Sequence, residues 1–377
     1  MSQTFFFGAG SISRVQTILE KEKPSHIFLV HGKKSYESSG AAAVLDPLLK
    51  KYHVTRFSDF DVNPKIEDVR KGIALFKQYA CDFVIAVGGG TSIDIAKAVA
   101  VLACHHDAPE IYLAGKNEIT HRAVTFLAIP TTSGSGSEAT PFAVVYMNKI
   151  KYSLSHPCVL PDYAIVDPKL TMSLSPHQTA YTGMDALSQA IESFWSINST
   201  EESKQYAREA IPLALAHLSD AVTAPTLAAR EAMAKASHLA GKAIAITKTT
   251  APHAISYYFT TYHGVPHGHA VALTLPSLLV FNSGVTDADV NDERGSAQAK
   301  KTMRELVTLL GASSVESAAE KITVLMKHIG LAVQLRDLGV AETEHPRIVA
   351  SVDLERVKNN PRLLTAGALN TILQKIQ

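Results

Sequence analysis

Through roughly the first 170 residues, the apolar positions form short unbroken runs separated by segments of helical period. His26-Ile27-Phe28-Leu29-Val30 predicts a strand ending at Gly32, and Ala41 to Tyr52 a helix. Val54 to Phe57 reads as a second strand and Ile66 to Tyr79 as a second helix. Asp82 to Val87 predicts a fully buried strand, followed by a helix from Ser92 to about Ala103. Val124 to Ile129, Phe142 to Met147 and Tyr163 to Val166 complete the strand candidates. Strands alternating with helices imply a mainly parallel sheet with crossover connections. After Asp167-Pro168 the pattern changes, and Ser175-Pro176 opens a helix-rich half with segments near 184–196, 201–218, 226–246 and 302–310. The stretch from Gly284 to Ser296 is polar and predicts a loop. The expected organisation is an α/β, Rossmann-like domain over 1–172 and an all-α domain over 173–377.

Composition narrows the partners. The chain has 377 residues, 36 Lys+Arg against 35 Asp+Glu, and a formal charge of +1, so no basic surplus points to nucleic acid or an anionic membrane. The three cysteines, Cys81, Cys104 and Cys158, form no CxxC pair and fit a reducing compartment. The first residues carry no basic segment ahead of the short Phe5-Phe6-Phe7 run, and no uncharged apolar stretch reaches membrane length, so a cytoplasmic protein is expected.

Two loops suggest a nucleotide. Gly88-Gly89-Gly90-Thr91-Ser92-Ile93-Asp94 lies between a strong strand and a helix, where glycines admit a pyrophosphate and free N–H groups face it. The spacing is not GxGxxG, and a tight strand–helix turn is the plainer alternative. Thr131-Thr132-Ser133-Gly134-Ser135-Gly136-Ser137 also follows a strand and offers five hydroxyls. Ligands of open parallel sheets bind beyond the carboxyl ends of the strands, as these loops are placed.

A metal is suggested by Asp185, His253 and His267. One carboxylate and two imidazoles would leave a coordination position open for water or substrate, although a single histidine is more often an ordinary core or surface residue. Asp185 and Gln189 lie four apart and share a helix face, opposite an apolar stripe of Leu187, Ile191, Phe194 and Trp195. His269 would point away from His267 on a helix, and His263 is given no metal role.

Together these motifs resemble the iron-containing (group III) alcohol dehydrogenases. The resemblance runs through Phe7 to Gly10, Gly88 to Lys97, Ile129 to Glu138, Gly183 to Glu192, Pro266-His267-Gly268 and Asn360-Pro361-Arg362. It implies a dehydroquinate-synthase-like α/β domain, a helical domain, a divalent Fe2+ or Zn2+, NADPH or NADH, and a homodimer. The family's metal ligands fall on Asp185, His253 and His267, and its fourth, a histidine, falls on Gln189. Tyr257 stands where many members have another histidine and is a candidate proton relay, with His267 beside it. Gly32, Asn63, Gly89, Gly90, Thr91, Ser92, Asp94, Thr131, Thr132, Ser135 and Lys151 match cofactor-contacting positions. NAD-preferring relatives carry an aspartate where Gly32 stands here, so a 2′-phosphate is acceptable, with Lys33 or Lys34 to pair with it.

The segment Thr247-Lys248-Thr249-Thr250 precedes His253, and Asn198 follows the Asp185 helix. A lysine among threonines beside a metal ligand is a candidate oxyanion cradle, though such hydroxyls also cap helices. With Gln189, these residues are similar to the branch that reduces phosphonoacetaldehyde to 2-hydroxyethylphosphonate. An anionic aldehyde substrate is therefore expected, with uncharged alcohols or diols as the alternative and a lyase of the same architecture as a more distant one.

Overall fold

The structure is a computed structural model that describes residues 3–352 and 357–377. The chain divides into two compact units, Met1–Leu174 and Ser175–Gln377.

The first unit is built on strands β1 (Thr4–Phe7), β2 (His26–His31), β3 (His53–Phe57), β4 (Phe83–Gly88), β5 (Thr125–Pro130), β6 (Phe142–Met147), β7 (Ile150–Ser155) and β8 (Tyr163–Val166). Six of them form one sheet in the order β1-β8-β5-β4-β2-β3, and every pairing in it is parallel. β2, β4 and β5 are nearly continuous apolar runs buried on both faces, as central parallel strands must be when helices cover the sheet. From β2 the chain steps outward to β3, then returns across β2 to β4 and proceeds to β5. The order therefore reverses between β2 and β4, and crevices for ligands open at such reversals.

Two strands were not expected. β1 is an edge strand of four residues with Phe5 exposed, too short to show alternation. β7 pairs antiparallel with β6, outside the main sheet. Asn148 and Lys149 make the two-residue turn between them, both with positive φ (52° and 63°), the backbone form that matches the twist of a tight hairpin. The helix after β4 spans Gly90–Leu102, so it begins two residues before the expected Ser92.

The second unit is helical. Its long helices are Pro176–Trp195, Glu201–Thr223, Leu227–Thr247, Ala251–His263, His267–Ser283, Ser296–Leu309 and Val315–His328. Ser175, Thr200, Thr226 and Ser314 each cap a helix by accepting a backbone N–H. The Pro176–Trp195 helix is buried on every side from Gly183 to Trp195, so the face that carries Asp185 and Gln189 is as interior as the apolar stripe opposite it. Its polar residues are interior groups that need partners. Among the described residues no helix is long and apolar enough to cross a membrane.

Candidate metal centre and nucleotide loops

In the first unit, three loops meet at the carboxyl ends of β2, β4 and β5. Gly32 N–H donates to Val87 O (3.2 Å) and Thr131 N–H donates to Gly88 O (2.9 Å), which ties the loops together through backbone. Space between them is scarce. A Cβ on Gly88, whose φ is +154°, would lie 2.4 Å from Ser92 Oγ, and one on Gly90 would lie 2.9 Å from Ser135 Oγ. Gly89, Gly90, Thr91, Thr132 and Ser135 are partly open, while Ser92 is buried. Thr131 Oγ1 and Ser133 Oγ are buried without a hydrogen-bond partner. Unsatisfied interior hydroxyls call for a partner, which the oxygens of an anionic ligand would supply.

Asp94 sits differently from the expected cofactor contact. Its Oδ1 accepts from Ser137 Oγ (2.6 Å) and its Oδ2 from Val144 N–H (3.0 Å), so both oxygens hold the hydroxyl-rich loop to β6. Lys97, one turn on, is fully buried. Its ammonium donates to Thr140 O (2.7 Å), Thr140 Oγ1 (2.9 Å) and Phe142 O (2.8 Å), and burial lowers its pKa to about 8 although Asp94 and Glu138 favour the charge. Lys151 lies opposite Tyr146 on the hairpin, and Tyr146 N–H donates to Pro64 O, so Asn63 and Lys151 flank the same strand residue. Asn63 is exposed with φ +63°. Lys33 is also exposed, its ammonium 3.6 Å from the Asp59 carboxylate.

In the second unit, three helices bring the metal candidates together. Asp185 comes from the middle of the Pro176–Trp195 helix. His253 stands in the first turn of Ala251–His263, and His267 opens His267–Ser283. Gly264, with φ +65°, ends the second of these helices, and Pro266 then starts the third. Close approach is possible because of Gly268. A Cβ there would lie 2.0 Å from Tyr181 O and 2.7 Å from Asp185 Cβ, so only glycine lets the start of this helix press on the Asp185 helix.

One ligand atom from each of Asp185, His253 and His267 falls within 4.8 Å of the others. His253 Nε2 is 3.3 Å from Asp185 Oδ1, yet that oxygen has no hydrogen bond of acceptable geometry. Gln189 Oε1 is buried and equally without a partner. Burial alone would raise the Asp185 pKa, but His253, His267 and Gln189 outweigh it and hold the carboxyl below its ordinary range. An anionic oxygen, two imidazole nitrogens and a spare amide oxygen, all buried except the partly exposed His267, fit a divalent transition ion.

Glu192, not singled out from the sequence, completes the arrangement. It is fully buried, one helical turn beyond Gln189. Its Oε2 takes a short hydrogen bond from His253 Nδ1. Its Oε1 accepts from Thr250 N–H (2.8 Å) and Thr250 Oγ1 (3.1 Å). Burial disfavours the His253 imidazolium, but Glu192 and Asp185 prevail and raise its pKa to about 10. An ion bound there must displace that proton.

Thr250 is thus turned inward, which differs from the substrate-side role expected of it. Its hydroxyl also accepts from Trp195 Nε1 (2.8 Å), and it supports His253. Thr249 is half-buried, and its carbonyl accepts a short bond from the Asn359 amide, whose own carbonyl accepts from Ile197 N–H. Lys248 and Asn198 are exposed. Lys248 has φ +60° and ψ 176°, a backbone form that is costly for any residue with a side chain. Tyr257 is half-buried, its ring parallel to that of His267 with centroids 6.3 Å apart. His269 Nε2 donates to Ala332 O, and His263 pairs with Glu344, so neither joins the cluster.

Residues 2–168 match the iron-containing alcohol dehydrogenase domain, and residues 179–377 match the C-terminal domain of the Fe-containing alcohol dehydrogenase family. The chain belongs to the iron-containing alcohol dehydrogenase family. This member is 36% identical to the phosphonoacetaldehyde reductase of Streptomyces viridochromogenes, over 78% of the chain and 75% of that protein. It is 32% identical to the 1,3-propanediol dehydrogenase of Klebsiella pneumoniae, over 90% and 88%. The structure is similar to that of sulfoacetaldehyde reductase from Bifidobacterium kashiwanohense in complex with NAD+, with a TM-score of 0.89, 32% identity, and coverage of 99% of this chain and 96% of that one. The protein is therefore an oxidoreductase of the alcohol dehydrogenase and aldehyde reductase type.

Proposed function

We propose that this dehydrogenase is a metal-dependent, NAD(P)H-linked reductase of a short aldehyde bearing an anionic head, and that it converts phosphonoacetaldehyde to 2-hydroxyethylphosphonate. The observation that carries the redox part is the clustered donor set of Asp185, His253, His267 and Gln189, with two of its buried oxygens unsatisfied. The anionic head rests on Lys248, a cation held in a costly backbone form by anchored neighbours on the segment that leads to His253. Two relatives named for a phosphono- and a sulfo-substituted acetaldehyde support the same reading.

When bound, a divalent ion polarises the aldehyde oxygen and a nicotinamide supplies the hydride. The protein's own groups arrange the rest. Gly88 to Ser92 and Thr131 to Ser135 offer backbone N–H groups and hydroxyls to a pyrophosphate. Lys248 attracts the phosphonate and orients the carbonyl. His253 and His267 both lie in first helical turns, whose positive dipole ends favour charge developing on the substrate oxygen. Tyr257, beside His267, hands over the proton that completes the alcohol.

We assign Fe2+ or Zn2+ as the metal, NADPH or NADH as coenzyme, and a cytoplasmic homodimer as the working form. Gly32 brings no carboxylate to repel a 2′-phosphate, while Lys33 is shared with Asp59. The deciding experiment compares Lys248→Ala with the parent on phosphonoacetaldehyde, sulfoacetaldehyde and propanal. KM should rise about tenfold or more for the two charged aldehydes, a loss of about 1.4 kcal/mol, and stay within about twofold for propanal. Equal rises on all three, or a parent that prefers 1,3-propanediol, would replace this reading with that of an uncharged alcohol dehydrogenase.

A further inference from the structure

The geometry points to Glu192 as a positioning residue that sets the metal affinity of the centre and couples it to the lysine-bearing loop. The inference rests on reading Asp185, His253 and His267 as a metal site.

The two oxygens of Glu192 do different things. Oε2 holds the Nδ1 side of His253, and so assigns that nitrogen the proton and leaves Nε2, the atom that faces Asp185, to bind metal. Oε1 is shared by Thr250 N–H, Thr250 Oγ1 and, more distantly, His253 N–H at 3.4 Å. It thereby ties down the start of the Ala251–His263 helix, which the side chain of its own first flanking residue, Thr250, does not cap. Trp195, on the same helix as Glu192, fixes the Thr250 hydroxyl from the other side. One buried carboxylate thus orients the ligand ring and anchors the main chain two residues from Lys248. A fully buried carboxylate with all its partners on one ligand segment is costly to keep, and ordinary helix packing does not require it. Partners that orient a metal-bound imidazole typically change affinity by about 10–100-fold.

Glu192→Gln keeps the shape and removes one acceptor. Whichever way its amide turns, an NH2 group faces either His253 Nδ1 or Thr250 N–H. Co2+ affinity, read by competition with a chromophoric chelator, should fall by about 10-fold or more. The Co2+ absorption bands should shift, and the metal-free protein should keep its circular dichroism. Thr250→Val removes only the hydroxyl arm and should weaken Co2+ by a smaller factor of about 3. If Glu192→Gln does not fold, Thr250→Val alone decides. A purely structural Glu192 would lower the melting point of metal-free protein while leaving the Co2+ affinity and bands of the folded fraction unchanged, and that result overturns the inference. Because the readout needs no substrate, a failed aldehyde reductase reading leaves this test standing: the protein would bind Co2+ through Glu192-dependent geometry and turn over no aldehyde.

Discussion

The candidate ligand site of the first unit is built mostly of backbone, and that of the second is built of side chains. Around β2, β4 and β5 the groups on offer are amides and small hydroxyls in tight quarters, gathered by strand ends that the sheet holds in register. In the helical unit the groups are a carboxylate, two imidazoles and an amide, drawn from three helices, and all but His267 are buried where each needs a partner. The first design is sensitive to added atoms, because a methyl group closes the space. The second is sensitive to removed atoms, because each lost donor leaves the others unsatisfied.

That contrast can be broken most severely by Asp185→Ala. Loss of the only carboxylate among the donors should remove bound metal and lower kcat/KM by about 10³-fold, several kcal/mol of transition-state stabilisation. Metal content by mass spectrometry and coenzyme fluorescence check it, the second expected to be unchanged. Gly88→Val does the reverse. Its Cβ meets Ser92 at a φ of +154°, so coenzyme affinity should drop and the unit should lose about 1–3 kcal/mol of stability, with metal content intact. Loss of metal in that variant would mean that the two designs are not independent. The finest adjustment is Gln189→His, which swaps a neutral amide oxygen for imidazole. Metal affinity should rise by up to about tenfold in a chelator competition, and a fall would mean that the Gln189 oxygen is not directed at the ion.

The two designs were also unequally legible. The loops of the first unit follow strands whose apolar runs are local in sequence, so Gly88 to Ser92 and Thr131 to Ser135 could be placed by reading along the chain. The start of the helix at Gly90 was missed because glycine is a poor helix former, and here packing against Ser135 outweighs that preference. β1 escaped because four residues with an exposed aromatic carry no period, and β7 because it pairs outside the sheet. In the second unit, Asp185, His253 and His267 were singled out by ligand chemistry and a family resemblance, and the fold brings them together. Glu192 was missed because an acidic residue seven positions after another on a helix ordinarily reads as a solvated charge. Only the burial of that whole helix shows it to be interior. Thr250 was placed with the substrate because its inward bonds to Glu192 and Trp195 depend on a helix more than fifty residues earlier.

Lys97 offers a built-in clock. Its amine is sealed by Thr140 and Phe142, so an acylating reagent reaches it only while that segment has swung away. The rate at which a Lys97-containing peptide gains mass, set against that of exposed lysines such as Lys33, therefore times the breathing of the hydroxyl-rich loop with no engineered label. A bound coenzyme that steadies the loop should slow that clock.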